Sequence, residues 1–167
     1  MAKQNNGYIA VIGDLVDSKK IVDRHAFQEG FAAALTAVGQ GQLASPYTIT
    51  LGDEFQALYS CAQGLFYDLM AIRASIYPVQ CRFSVAIGEI TTPINTKQAI
   101  GMDGSAYHRA RDGIDRMKKS GNLLMLSGLI PTEQAMLVPA LNILWASTEL
   151  WQVNRLRILM RELERVS

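Results

Sequence analysis

The 167-residue chain is poor in cysteine, histidine and proline and has no long apolar run. Each scarcity removes a class of function. Cys61 and Cys81 stand singly, in YSCAQGLF and PVQCRFSV, rather than in CxxC pairs, which argues against a zinc site and a disulfide framework. Both are expected to be reduced thiols in the core. The N-terminal MAKQNNGYIAVIGD holds only about five apolar residues before Gly13, too few for a signal peptide or a membrane span. The expected address is therefore the cytoplasm. Sixteen basic against fifteen acidic residues leave a formal charge of +1, so no overall field directs the chain to nucleic acid or to an anionic membrane. No phosphate-binding GxxxxGKS or GxxxxGKT, nucleophile elbow or HExxH occurs, and GQGQLA follows a helical pattern rather than a strand.

What is present reads as one globular unit, 49% hydrophobic and long enough to bury its own core. YIAVI, at 8–12, is a continuous apolar run suited to a strand buried on both faces, ending at GDLVDSKK. In DRHAFQEGFAAALTAV the spacing of Phe27, Phe31, Leu35 and Val38 predicts a helix with one buried side. Residues 39–46 read as a loop. YTITL and FQALYS form an expected hairpin around Gly52-Asp53-Glu54. Leu65, Leu69, Ile72 and Ile76 mark a second helix, closed by Pro78, and CRFSVAIGEI alternates with period two as a strand. A third helix carries Ala106, Ala110, Ile114 and Met117, and NLLMLS supplies a fifth strand. Pro131 then opens a helical stretch whose apolar stripe is Leu141, Leu144, Trp145, Thr148, Trp151, Leu156, Leu159 and Leu163.

The order β-α-β-β-α-β predicts an α+β fold, a ferredoxin-like or palm-like core with an extra αβ unit and C-terminal helices. The expected division is a palm-like domain over 1–130 and a helical segment over 131–167 that rests on the core or a partner. This topology sets the hairpin beside the first strand and makes Asp14 and Asp53 neighbours. Their oxygens suit a hard cation, Mg or Mn, which keeps positions open for phosphate oxygens, and Glu54 joins them as a candidate metal ligand. The plainer alternative is that Asp14 ends a strand, Asp17 and Ser18 start a helix, and Gly52-Asp53 make a turn. Glu54 is not a favoured turn residue, which tips the balance toward a site.

The helix of Tyr107, His108, Arg109 and Arg111 is the most basic part of the core region, and an arginine there can grip phosphate bidentately. The alternative is a solvated face with an internal Arg111–Asp115 pair. His108 can act as an acid or base near neutral pH but is more often a surface residue, and His25 carries no functional expectation. Gly101 and Gly104 flank Asp103 in a loop where a ligand can approach the backbone. The candidate catalytic residues are Asp14, Asp53 and Arg111. Asp17, Ser18, Gly52, Tyr107 and Arg109 are the candidate ligand contacts.

The runs YIAVIGDLVDSKKI, YTITLGDEFQALY, YPVQCRFSVAIGEITTPIN and AIGMDGSAYHRAR resemble the SatD family of bacterial proteins over about residues 8 to 127. More distantly, they resemble the palm-type catalytic domains of class III nucleotide cyclases and GGDEF diguanylate cyclases. There, one Asp ends the first strand and an acidic residue in the hairpin turn joins it on the catalytic metals; Asp14 and Asp53 stand at the matching positions. The resemblance departs at Leu51-Gly52, where diguanylate cyclases have two glycines. It departs again at Tyr107, where class III cyclases place an Asn four residues before an Arg; Arg111 keeps the Arg.

Arg155, Arg157, Arg161 and Arg165 interleave with leucines near the C-terminus, an amphipathic basic pattern that suits packing on the domain, pairing with a second copy, or contact with DNA. SatD-like chains often continue into a helix-turn-helix-like segment, which makes DNA a further candidate partner. The leading expectation is a metal-dependent nucleotide or phosphate site, cyclase-like if it turns its ligand over. A non-catalytic regulatory or DNA-associated module, using the sheet to dimerise or to sense a ligand, is the alternative.

Overall fold

The computed structural model describes residues 7–39, 42–148, 151, 154–155, 158–159 and 161–162. Five strands and four helices alternate in the order β1 (Tyr8–Leu15), α1 (Arg24–Ala37), β2 (Leu43–Ile49), β3 (Glu54–Tyr59), α2 (Leu65–Ile76), β4 (Cys81–Gly88), α3 (Ser105–Ser120), β5 (Leu124–Ser127) and α4 (Pro131–Ser147). The sheet runs β2-β3-β1-β4-β5, with β1 antiparallel to both β3 and β4, and β5 parallel to β4. This is the expected α+β arrangement, with β5 and its preceding helix as the added unit.

Strand alternation sorts the side chains onto two faces. Ile9, Val11, Phe55, Phe83 and Val85 point to one side, where Phe31 and Leu35 of α1, Leu69 and Ile72 of α2 and Trp145 of α4 complete a large apolar core. Ala10, Ile12, Leu58 and Ala86 point to the other, where Ala106, Ala110, Ile114 and Met117 of α3 cover them. The sheet is thus a middle layer between three helices and one.

Local chemistry fixes the helix ends. The Asp23 side chain accepts the Ala26 N–H at 3.0 Å and caps α1, while Gly121 takes a left-handed conformation at the end of α3 and donates its N–H to Met117. Pro131 occupies the first turn of α4, as its fixed φ favours. Asn142 of α4 bonds the backbone of Leu123 and Leu124 beside β5, and buried Arg73 of α2 donates to the Trp145 carbonyl at 3.0 Å while lying over the indole ring. These bonds seat α4 on the core.

Three expectations are corrected. β1 does not stop at Gly13 but runs on to Leu15: Gly13 lies between its register partners Phe55 and Phe83, and a Cβ there would run into the Phe55 ring. Its absent side chain is a seat for an aromatic ring rather than a turn. Residues 43–46 are strand, not loop, because β2 is an edge strand that tolerates Pro46 at a break in register. Cys61 is exposed in the loop after β3, and only Cys81 is buried. Among the described residues no helix is long and apolar enough to cross a membrane.

Candidate functional site

Asp14 is the last α3-side residue of β1, and the register places Glu54 of β3 opposite it on one flank and Arg82 of β4 on the other. Directly opposed residues of an antiparallel pair bring their Cβ atoms to about 5 Å. Asp14 and Glu54 therefore meet side by side, each 5% exposed. Two buried carboxylates at that spacing repel unless cations answer them.

Three cations do. Arg82 donates to Asp14 Oδ2 at 2.8 Å, and the Lys118 ammonium lies 3.0 Å from Asp14 Oδ1. Arg111 grips Glu54 with both terminal nitrogens, one of them at 2.6 Å from Oε1. Arg111 and Lys118 stand seven residues apart, two helical turns, so α3 presents both to the same end of the sheet. The Glu54 hydrogen bond raises the Arg111 guanidinium further above its already high range, against the effect of partial burial. Every oxygen of the carboxylate pair thus has a basic partner, and two negative charges face three positive ones.

Asp53 sits one residue before β3, where Gly52 supplies the left-handed turn at φ 62°. Its carbonyl accepts the Leu15 N–H at 2.9 Å, and its carboxylate accepts the hydroxyl of buried Ser18 at 2.8 Å. Asp53 lies beside the pair, but its side chain turns to the segment after β1. Asp17, in a left-handed conformation at φ 54°, pairs with Lys20 at 2.7 Å, and that hydrogen bond lowers its carboxyl below the usual range. Arg109 leaves the cluster to donate to the Ile87 carbonyl at 2.7 Å. His108 pairs with Asp103 at 2.6 Å on the surface, and His25 faces Glu29 at 3.8 Å.

Tyr107 is buried, and burial pushes its phenol up to about 12. Its hydroxyl, the Ser84 hydroxyl and Arg82 Nε are buried without a hydrogen-bond partner among the described residues. Ser84 lies two residues beyond Arg82 on the strand face that α3 covers, and Tyr107 packs in that same layer. This side of the sheet keeps unused hydrogen-bonding capacity next to the charged cluster.

Arg82 and Lys118 escaped the sequence reading. Arg82 fell on the polar side of an alternating strand, a pattern that does not say which residue of β1 it will face. Lys118 could have been found as the basic residue two helical turns after Arg111. Among the described residues no three His, Cys, Asp or Glu side chains converge as a metal-binding group. The donor set still fits Mg or Mn, because such an ion is held by one or two carboxylates together with ligand phosphates. Asp14 and Glu54 would hold it, with Asp53 at the margin. Arg157, Arg165, Leu156 and Leu163, named above for the C-terminal pattern, lie outside the described residues.

A family profile described as the SatD family (SatD) matches residues 8–161. The chain belongs to the SatD family. Among solved structures, this SatD-family chain is similar to the diguanylate cyclase SiaD of Pseudomonas aeruginosa, crystallised in complex with its activator SiaC. The TM-score is 0.54 at 15% identity, and the match covers 74% of this chain and 50% of that one. The SatD-family chain thus corresponds to about half the length of that cyclase, and the likeness is one of fold, that of a palm-type cyclase domain. Comparison with curated proteins gives no match.

Proposed function

We propose that this SatD-family protein binds a nucleotide or related phosphate compound together with Mg or Mn at the Asp14–Glu54 pair. The observation that carries the reading is the full occupation of the two buried carboxylates by Arg82, Arg111 and Lys118. Alone, an ion finds no carboxylate oxygen there without a basic partner, and a phosphate must draw the cations away from the carboxylates. Together they can exchange partners: the guanidinium groups of Arg82 and Arg111 and the Lys118 ammonium turn to phosphate oxygens, and the carboxylates turn to the ion. Arg111 and Lys118 are roughly half exposed, so both can move without leaving water. A divalent ion at such a site neutralises charge on phosphate oxygens, which makes cyclase-like phosphoryl transfer the reaction class to assay.

The test is thermal unfolding with ATP, GTP and their cyclic products, with and without Mg or Mn. The expected result is a shift for nucleotide plus ion that exceeds the sum of the shifts for either alone and that vanishes in Asp14→Asn and Glu54→Gln. At about 100 times the dissociation constant the ligand adds roughly 2.7 kcal/mol, several degrees for a domain of this size. Failure of every nucleotide–ion pair, or a shift that survives both substitutions, would remove the reading.

A regulatory module with a homodimer is favoured by a different observation. Ile130, Met136 and Ile143, at and along α4, are each more than half exposed, an apolar surface unlike that of α3. Light scattering at micromolar concentration tests it: a dimer that Met136→Lys and Ile143→Lys dissociate supports this second reading, and a monomer removes it.

A further inference from the structure

Beyond the charged cluster, at the same end of the sheet, a cleft of about 410 Å³ opens between the segment after β1 and the loop before β4. Val16, Ile21, Val22, Pro78 and Val79 line it with aliphatic surface. Asp17, Lys20 and Gln80 add polar groups. Its size falls within the roughly 300–1,000 Å³ of ordinary small-molecule sites.

Its floor continues the strands that carry the cluster. Val16 comes two residues after Asp14 and donates its N–H to the carbonyl of Gln80, two residues before Arg82, at 2.8 Å. At about 3.3 Å per strand residue, the cleft begins roughly 7 Å along the backbone from Asp14 and Arg82. Arg82 links the two regions: it pairs with Asp14, and its charge also acts on Asp17, behind the nearer Lys20.

We infer that this cleft receives the base of a nucleotide whose phosphates lie at Arg82, Arg111 and Lys118. The inference rests on the nucleotide reading above and adds to it where the rest of the ligand goes. A nucleobase is a flat ring with apolar faces and a hydrogen-bonding edge, which matches aliphatic walls beside a carboxylate, an ammonium and an amide. A phosphate compound without a base would leave the walls unused. An aliphatic chain would leave Asp17, Lys20 and Gln80 without new partners and take their water away.

The experiment compares inorganic tripolyphosphate with the four nucleoside triphosphates by calorimetry in the presence of Mn²⁺, on the wild-type chain and on Val22→Trp. Val22 lines the cleft and is fully exposed, so a larger side chain there narrows the cleft without disturbing the core; an unchanged unfolding temperature checks this. The expected result is that at least one nucleoside triphosphate binds tenfold or more tightly than tripolyphosphate. That advantage should disappear in Val22→Trp, with tripolyphosphate affinity held within twofold. Methyl resonances of Val16, Ile21 and Val79 should shift with the nucleotide and not with tripolyphosphate. Equal affinity for tripolyphosphate and all four nucleotides overturns the cleft assignment and leaves the phosphate site standing. So does a nucleotide advantage that survives Val22→Trp with unmoved cleft methyls. Binding of neither probe overturns both readings.

Discussion

On the side of the sheet covered by α1, α2 and α4, the strands present rings that meet edge to face: Phe55 lies 5.0 Å from Phe31 and 5.9 Å from Phe83, and Phe83 lies 5.5 Å from Trp145. On the α3 side they present Ala10, Ala86 and Ser84, and then the charged group of Asp14, Glu54 and Arg82. The aromatic side removes large apolar area from water and so supplies most of the stability. Small residues on the other side let α3 come close, which holds Arg111 and Lys118 over the carboxylates. One face is packed mainly with rings and the other ends in a buried charge cluster, the site of the proposed binding, and substitutions can separate the two.

The largest effect should come from Phe83→Ala. Truncating a fully buried phenylalanine costs about 3–5 kcal/mol. Urea unfolding should show that loss, while the residual folded protein keeps whatever nucleotide and ion binding the wild type shows under the proposal above; a loss under about 1 kcal/mol would mean that the aromatic row is not the main core.

Glu54→Gln should cost less, about 1–3 kcal/mol, because water can reach the Arg111 guanidinium that it leaves unpaired. Its signature is loss of the proposed coupled binding of ion and phosphate while unfolding stays cooperative. A Glu54→Gln variant that keeps wild-type coupled binding would assign the site elsewhere.

Gly113→Ala probes the close approach of α3, since an added Cβ would run into the Ser84 hydroxyl. Overpacking of this kind costs about 1–3 kcal/mol. Ser84→Ala removes a buried hydroxyl that has no hydrogen-bond partner among the described residues and should be neutral or slightly stabilising, and it should recover part of the Gly113→Ala loss in the double variant. Strict additivity would place the obstruction at another contact.

The smallest effect is a pH dependence on the aromatic side. Asp68 accepts the Tyr59 hydroxyl at 2.7 Å, and burial raises its carboxyl above the ordinary value, partly offset by that hydrogen bond. A carboxyl raised in the folded state keeps its proton after the unfolded chain has lost it, so its contribution to stability falls as pH rises from about 3.8 through the raised value. Asp68→Asn should flatten that segment of the stability curve. An unchanged slope would assign the dependence to other groups.

Periodicity and turn chemistry carried far in this chain. The alternation in CRFSVAIG, the helical spacing in α1 to α3 and Pro131 at the start of α4 were all legible, because each depends on neighbours a few residues away. So was the placement of the Gly-Asp-Glu turn beside the end of β1, which follows from the order of the elements. Gly13 was misread as a strand end because its real requirement, room for the Phe55 ring, comes from a residue more than forty positions away. Glu54 was read as an addition to an Asp14 and Asp53 pair for a similar reason. Only the register reveals that it, and not Asp53, stands directly opposite Asp14.

The sequence by itself determined the α+β class, the family and the carboxylates at the hairpin, since pattern, composition and motif are properties of local chain. Tertiary structure alone decided which charges meet. Arg82, Arg111 and Lys118 reach Asp14 and Glu54 from two elements distant in the chain, and a one-residue slip in either pairing would turn the same side chains to the opposite face of the sheet.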